Sequence, residues 1–353
     1  MKSVSDIVKV VNNYRLMNPD LPVRVKGGPG CGLTYFLTRA AVEMAVQQDR
    51  LVVCQLPCRE SYRAFRREFE QFRTSSDFPE ELKVERAVAF KGRATDTVPE
   101  LTTQSLRIMI GIANPKVIEY SSNLMDRRFV MIIDHLDLFI NRDVQMVLSD
   151  RFPVIASFDS LNTIQNPSIR TQIDFCEHHN FVHSDRSPQM LRWSNRHLYS
   201  RTIGTIHGLS EFSERIVRAV DTTDGFEAVR REIREIRSHW SNEQVLLVFG
   251  DQHQLDEYRR NFYLDLLRRP EIRMSTVQKA QFLPLHDVLV FYTHLTVPID
   301  EHRDALPTLS IHTVLTRAAK MLVWIGNLQV LRDSHRFEIQ DLHRDLMANA
   351  SGN

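Results

Sequence analysis

The sequence has 353 residues, of which 42% are hydrophobic and 25% are charged, a composition typical of globular proteins. This length exceeds what one ordinary hydrophobic core requires and suits two domains. The 45 basic and 44 acidic residues give a formal net charge of +1. The chain lacks the overall basic excess that would indicate nucleic-acid binding. Any such binding therefore has to come from a local basic patch.

The cysteines and the apolar runs predict a cellular compartment. The four cysteines are scattered and do not form a disulfide framework, which indicates a reducing environment. Cys54 and Cys58 lie close together, but no second pair at zinc spacing follows, so we predict no metal site of this kind. Residues 1–15 lack the apolar core of a signal peptide, and no stretch approaches the roughly 18 apolar residues of a membrane span. We therefore predict a cytoplasmic or nuclear protein without a membrane partner.

Short β-branched runs alternate with longer helical stretches along the whole chain. This alternation predicts an α/β protein with mostly parallel sheets, and the continuously apolar runs are typical of strands buried on both faces. The predicted strands are Val23–Lys26, Leu51–Gln55, Phe129–Ile133, Val154–Ser157, Val245–Phe249, Asp287–Tyr292 and Met321–Ile325. The predicted helices include Thr34–Gln48, Glu60–Arg73 and Ala228–Trp240.

The pattern divides near Gln165–His179, which predicts a first domain over residues 1–172 and a second over 173–353. We interpret the histidine-rich stretch at this division as a connector between the domains. The segment Thr74–Gln104 is charged and irregular, so we predict that it is an insertion or a surface excursion within the first domain.

A glycine-rich turn follows the first predicted strand. Gly27 and Gly32 take the two glycine places of a phosphate loop, with Gly30 between them. Such glycines let backbone amides converge on an anion at a helix N-terminus, and Thr34 takes the place of the magnesium-binding hydroxyl. Leu33 stands where the pattern has lysine, and leucine cannot supply charge to the outer phosphates. A turn that merely joins strand to helix explains this motif equally well.

An acidic residue follows the apolar run Phe129–Ile133. In phosphate-loop NTPases an aspartate at this place holds magnesium through water, and the next residue is a glutamate that polarises the attacking water. Asp134 fits the first role and would share a Mg-ATP ion with Thr34. His135 replaces the glutamate.

These motifs and several later ones occur in an order that resembles superfamily 1 helicases of the up-frameshift type, over nearly the whole chain. The segments Leu51–Cys58 and Leu101–Arg107 are similar to two family segments that contact nucleic acid. Asp159 lies where the family has an acid ahead of a phosphate-sensing glutamine, and Asn162 stands for that glutamine.

The second half carries the remaining similarity. Ser275–Pro284 resembles a motif that contacts nucleic acid and ribose: Gln281 is kept, Lys279 belongs to the same segment, and Pro284 stands for the ribose-binding glutamate. Thr316-Arg317-Ala318 is close to the final motif, in which Arg317 matches the arginine finger. The resemblance implies two RecA-like domains of the phosphate-loop NTPase fold, Mg-ATP as cofactor, and nucleic-acid contacts at Arg107 and Lys279.

Three catalytic roles of the family are lost at Leu33, His135 and Pro284. The losses favour a helicase-like pseudoenzyme, an RNA-associated or complex-assembling factor without productive ATP hydrolysis. Its expected partners are single-stranded RNA or DNA and other proteins. One alternative is a working ATP-dependent RNA or DNA helicase, which is favoured by the retained residues Thr34, Asp134, Gln281 and Arg317. The other is a protein-interaction scaffold, which the near-neutral charge favours.

One predicted helix carries several arginines on a single face. We interpret this face as a solvated surface whose charge is balanced by neighbouring glutamates. The arginines are Arg59, Arg63, Arg66 and Arg67, and the glutamates are Glu60, Glu68 and Glu70.

Overall fold

The chain folds into two compact units, Met1–Val182 and His183–Asn353. The computed structural model describes residues 23–28, 30–47, 51–83, 87–91, 106–112, 129–136, 154–158, 177–181, 183–184, 186, 188–199, 205–208, 216–239, 244–267, 272–280, 283, 286–293, 308–350. Each unit is built on a parallel sheet, so the predicted α/β class with parallel sheets is confirmed.

Within the described ranges, the first unit has a sheet of seven strands, all parallel. They are β1 (Val23–Gly27), β2 (Leu51–Leu56), β3 (Val88–Lys91), β4 (Ile108–Ile112), β5 (Phe129–Ile133), β6 (Val154–Phe158) and β7 (Glu177–Phe181). Their spatial order is β3-β4-β2-β5-β6-β1-β7. Strand β1 precedes the glycine turn, and β5 precedes Asp134. Because β6 lies between these two strands, their carboxyl ends are held close together.

Two helices cover one face of this sheet, α1 (Leu33–Gln47) and α2 (Arg59–Arg73). Alternate residues of β2 point to that face because side chains on a strand alternate between its two sides. Val52, Cys54 and Leu56 therefore join Phe36 of α1 and Phe65 of α2 in one buried core. Helix α2 begins at a capping box, in which Cys58 Sγ accepts from the Ser61 N–H and Ser61 Oγ accepts from the Cys58 N–H.

Two interpretations of the first half were wrong. Part of the segment assigned to a surface excursion enters the sheet as β3, after a short 3₁₀ turn at Glu80–Leu82, and Phe78 and Leu82 are buried in the core. Phe69 packs edge-on against both Phe78 and Phe90. The histidine-rich stretch contributes β7, which pairs with β1 at the edge of the first sheet. The two units accordingly divide between Val182 and His183.

The second unit contains a parallel sheet of five strands among its described residues. They are β10 (Ile216–Asp221), β11 (Val245–Phe249), β12 (Ile272–Thr276), β13 (His286–Thr293) and β14 (Ala318–Gly326), in the order β10-β14-β13-β11-β12. A separate parallel pair is formed by β8 (His183–Ser184) and β9 (His207–Gly208).

Helices cover both faces of the second sheet, which explains its continuously apolar strands. Trp324 faces a core with Trp193 and α3 (Pro188–His197), while Val323 faces the opposite core, with Tyr258. The other helices are α4 (Phe226–His239), α5 (Gln252–Leu267), α6 (Val277–Ala280), α7 (Thr308–Thr316), α8 (Gln329–Arg332) and α9 (Phe337–Ala350). Among the helices that the structure describes, none is long and apolar enough to cross a membrane.

Candidate nucleotide site

The candidate site lies at the carboxyl edge of the first sheet. Ligands of open α/β sheets bind in the crevice at this edge, because loops and helix N-termini converge there. The loop after β1, the residues after β5 and the end of β6 meet at this place, since these strands are parallel neighbours.

The turn after β1 has the backbone conformation that glycine permits. Gly30 has φ 74° and Gly32 has φ 79°, in the left-handed region that other residues rarely enter. A Cβ atom on Gly32 would meet no other atom within 4 Å, so conformation rather than space requires glycine there. The Cys31 N–H donates to the Gly28 carbonyl at 3.2 Å, and the Phe36 N–H donates to the Gly32 carbonyl at 2.8 Å as α1 begins. The first N–H groups of α1 have no partner within the helix, as in a phosphate cradle.

Three oxygen-bearing side chains meet behind this turn. The Thr34 hydroxyl donates to Asp134 Oδ2 at 2.8 Å, and the Ser157 hydroxyl donates to Asp134 Oδ1 at 2.5 Å. Asp134 is buried, and its own N–H donates to the carbonyl of Gln55 at 3.3 Å. The two hydroxyl groups offset the desolvation of the carboxylate and fix its orientation. The sequence therefore placed Thr34 and Asp134 correctly in relation to each other but missed Ser157.

His135 lies beside this group in a strained conformation. Its φ is 57°, the left-handed region that costs a non-glycine residue of order 1–3 kcal/mol unless its surroundings hold it. Its N–H donates to Ser157 Oγ at 3.1 Å. The imidazole is 27% exposed, with Nε2 4.0 Å from Asp134 Oδ2. The residue that stands for the catalytic glutamate is therefore held at the site.

Leu33 is the first residue of α1, but it brings no charge to the loop. Its half-buried side chain packs against the hydrophobic core of the first unit. The position that would direct an ammonium group to a nucleotide phosphate contributes instead to the apolar contacts of α1.

The aspartate also affects a neighbouring thiol. Burial, and to a smaller extent the charge of Asp134, raise the pKa of Cys54 far above its ordinary value. The Cys54 side chain belongs to the core beneath α1, so this thiol stays protonated and is no candidate nucleophile.

The structure places Arg107 away from these residues. It directly precedes β4, where its N–H donates to the Ala87 carbonyl at 2.9 Å and its carbonyl accepts from the Val52 N–H at 2.9 Å. Arg107 thus lies at the amino edge of the sheet, opposite the carboxyl edge that carries Thr34 and Asp134. Asp159, Asn162, Gln281 and Pro284 lie outside the described residues.

The predicted site residues of the second unit lie on two different edges of its sheet. Lys279 is exposed on α6, directly after β12, and its ammonium donates to Gln252 Oε1 at 3.4 Å. Arg317 is half-buried between α7 and β14, where its carbonyl accepts from the His286 N–H at 3.3 Å. Lys279 therefore occupies the carboxyl edge and Arg317 the amino edge.

A buried polar network supports the segment that precedes Arg317, and the sequence did not predict it. His312 Nδ1 is 2.7 Å from Ser194 Oγ, and its Nε2 is 2.9 Å from the Tyr199 hydroxyl. Burial, followed by the nearby charges of Arg317 and Arg186, lowers the pKa of His312 to about 3. The neutral ring therefore links α3 to α7.

Arg186 lies just before α3 in the second unit. It is buried, and its Nε donates to the Thr316 carbonyl. This contact joins the chain before α3 to the last residue of α7. Arg186 therefore has a structural role at the end of that helix.

The side chains of Thr34 and Asp134 fit the magnesium ion of a bound nucleotide. Mg²⁺ prefers oxygen ligands and usually keeps several water molecules. The Thr34 hydroxyl, which donates to Asp134 Oδ2 at 2.8 Å, would bind the ion, and the carboxylate would hold it through water. Their chemistry suits the ion, whereas Leu33 offers no charge to the phosphates.

Comparison with known proteins gives likenesses of structure alone. No family model matches the sequence, and no curated protein matches it. The PRRSV helicase has a similar fold, with a TM-score of 0.51 at 12% identity, covering 92% of this chain and 56% of that one. Arterivirus nonstructural protein 10 (helicase), alone and in complex with DNA, gives a TM-score of 0.49 at 14% identity in both cases. These two alignments cover 88% and 94% of this chain and 61% and 65% of those chains. The chain thus spans less than two thirds of the length of these helicases.

Proposed function

Starting from the two RecA-like units of the superfamily 1 helicase fold, we propose that the protein is a helicase-like, nucleic-acid-associated factor without productive ATP hydrolysis. A fold by itself does not define an activity, so the proposal depends on the residues at the carboxyl edge of the first sheet.

The packing of Leu33 carries the proposal. Phosphoryl transfer depends on positioning and on cations that neutralise charge developing on the transferred group. The loop keeps its glycines and the helix N-terminus, which supply partial charges, but the full charge of a lysine is absent at Leu33. Loss of one such charge-stabilising group commonly lowers the rate by about 10²–10³-fold. His135 in place of the water-polarising glutamate adds a second loss at the same site.

Nucleotide binding is a separate question from turnover. Thr34 and Asp134 would hold the magnesium of a bound nucleoside triphosphate, and the loop amides would contact its phosphates. The ion would neutralise charge on the outer phosphates. We expect weak binding of Mg-ATP, because backbone dipoles alone replace the charge-assisted contact of a lysine.

Calorimetry with Mg-ATP tests this expectation. Leu33→Lys should tighten binding by about 10–100-fold, the equivalent of one hydrogen bond to a charged group. Leu33→Met is the matched control, because methionine is unbranched like lysine, apolar like leucine and uncharged. Wild-type binding as tight as that of Leu33→Lys would mean that another cation serves the phosphates, and the proposal would lose its basis.

A working ATP-dependent helicase is the second candidate, and the Thr34–Asp134 contact favours it. That pair is the part of the magnesium site that turnover requires, and it is intact at 2.8 Å. Protein partners are compatible with either of these two candidate functions. Hydrolysis that depends on Asp134 distinguishes the working enzyme from the pseudoenzyme.

A further inference from the structure

Helix α2 carries a row of exposed arginines. They occur at positions i, i+4, i+7 and i+8, which a helix with 3.6 residues per turn brings onto one face. The row consists of Arg59, Arg63, Arg66 and Arg67, all of them exposed. Eight residues of helix span about 12 Å, so the charges form a line rather than a point. We call these four residues the arginine row.

The glutamates of α2 do not neutralise this row. Glu68 pairs with Arg39 of α1 at 3.0 Å, and Glu70 lies 3.9 Å from Arg73 at the end of the helix. Within the part of the chain that the structure describes, Arg59, Arg63 and Arg67 form no ion pair or hydrogen bond through their side chains. The face is solvated, as the sequence interpretation expected, but the expected balance of its charge by Glu68 and Glu70 is wrong, because these glutamates pair with Arg39 and Arg73.

The arginine row stands on a rigid support. The opposite face of α2 is buried through Tyr62, Phe65 and Phe69, and the capping box at Cys58 fixes the first turn. The guanidinium of Arg66 lies over the Phe90 ring at 4.5 Å, which holds its orientation. A helix that is already ordered loses less backbone conformational entropy on binding a partner than a flexible segment would.

Two arginines of helix α4 have a different environment. Arg230 lies 3.8 Å from Glu227, and Arg231 lies 3.7 Å from Asp224. These two arginines have carboxylate partners, which Arg59, Arg63 and Arg67 of α2 lack among the described residues.

We propose that the arginine row binds the sugar–phosphate backbone of a single-stranded nucleic acid laid along α2. Guanidinium groups are suited to phosphate, and Arg59, Arg63 and Arg67, which follow one another about 6 Å apart along the helix axis, can each meet a different phosphate of an extended strand. The chain as a whole is nearly neutral, so the attraction comes from this row and not from net charge. The inference rests on the proposed association with nucleic acid and assigns it a surface.

The test is the salt dependence of binding, measured by fluorescence anisotropy with labelled oligouridylate and oligothymidylate and without nucleotide. Each phosphate contact to a single strand contributes about 0.7 to the slope of log affinity against log salt. The triple variant Arg59→Ala, Arg63→Ala, Arg67→Ala should lower the slope by about 2 and weaken binding at least tenfold at low salt. The matched control Arg230→Ala, Arg231→Ala, Arg234→Ala removes the same charge from α4 and should leave the slope unchanged.

The possible outcomes separate this inference from the function it rests on. If the wild type binds neither strand, the association with nucleic acid fails, and the arginine row fails with it. If the wild type binds and the α2 variant keeps its slope, or the α4 control loses as much, only the arginine row is refuted. Displacement of either strand by polyglutamate at an equal concentration of charge would assign the row to acidic proteins and overturn the proposal.

Discussion

Helices α1 and α2 stand on the same face of one sheet, and each follows a parallel strand, yet they differ in charge. At the start of α1 the loop keeps its glycine backbone and its Thr34–Asp134 contact, while Leu33 replaces the cation. Helix α2 displays the arginine row without carboxylate partners. The positive charge is thus missing where a nucleotide phosphate would lie and present where the phosphates of a polymer could lie. This difference favours binding without turnover.

The buried face of α2 should give the largest effect. Phe69 is fully buried and packs edge-on against Phe78 and Phe90. Phe69→Ala should lower the free energy of unfolding by about 3–5 kcal/mol, because it removes apolar contacts and leaves a cavity. Chemical denaturation measures the change. Arg67→Ala, on the exposed face of the same helix, should stay within about 0.5 kcal/mol. Equal losses for the two variants would mean that the arginine row is a structural element.

Acid pH should produce the next largest effect on the free energy of unfolding. This effect also limits the pH range in which helices α1 and α2 can be compared in a folded protein. Because the pKa of His312 is lowered to about 3 in the folded state, the unfolded chain binds a proton there first. Its contribution to stability is complete above the ordinary histidine pKa of about 6.5 and is lost as pH falls toward 3. Between pH 7 and pH 5 the loss should be about 2 kcal/mol.

Denaturation of His312→Gln at both pH values measures this effect. The amide can still form hydrogen bonds with Ser194 and Tyr199, but it does not titrate. This variant should therefore lose less stability on acidification than the wild type. The same pH dependence in both proteins would show that His312 is not the titrating group.

A loss of comparable size should come from Ser157 at the loop. Ser157→Ala removes a donor to Asp134 and the acceptor of the His135 N–H. We expect a loss of about 1–3 kcal/mol in unfolding free energy, since a buried carboxylate loses one of its two hydroxyl partners. Ser157→Thr keeps a hydroxyl and should recover part of the loss. If Ser157→Ala and the wild type are equally stable, the carboxylate does not depend on this contact.

The sequence predicted the strands that carry the site because these are apolar runs with clear ends. The predicted strand Phe129–Ile133 agrees with β5, and Val245–Phe249 agrees with β11. It missed β3 and β7 of the first sheet and β10 and β12 of the second, all of which are edge strands in the described sheets, and it also missed the apolar strand β4. Edge strands have one neighbour and are partly exposed, so their residues need not be apolar, as Lys91 illustrates.

The candidate site was predicted only in part. The phosphate-loop pattern relates Gly32 and Thr34 to an acid after a later strand, so Asp134 could be found from the sequence. Ser157 could not be found, because its contact depends on β6 lying between β1 and β5, and strand order is not a local property of sequence. The pairing of Glu68 on α2 with Arg39 on α1 was likewise invisible until the two helices were placed side by side.

Steady-state ATP hydrolysis tests the central claim most directly. It should be measured with magnesium and with saturating single-stranded RNA or DNA, for the wild type and for Asp134→Ala. If the protein has no productive turnover, the wild type and Asp134→Ala should show the same background rate of ATP hydrolysis, with and without nucleic acid. Hydrolysis that nucleic acid stimulates and that Asp134→Ala abolishes would contradict the claim and identify a working motor.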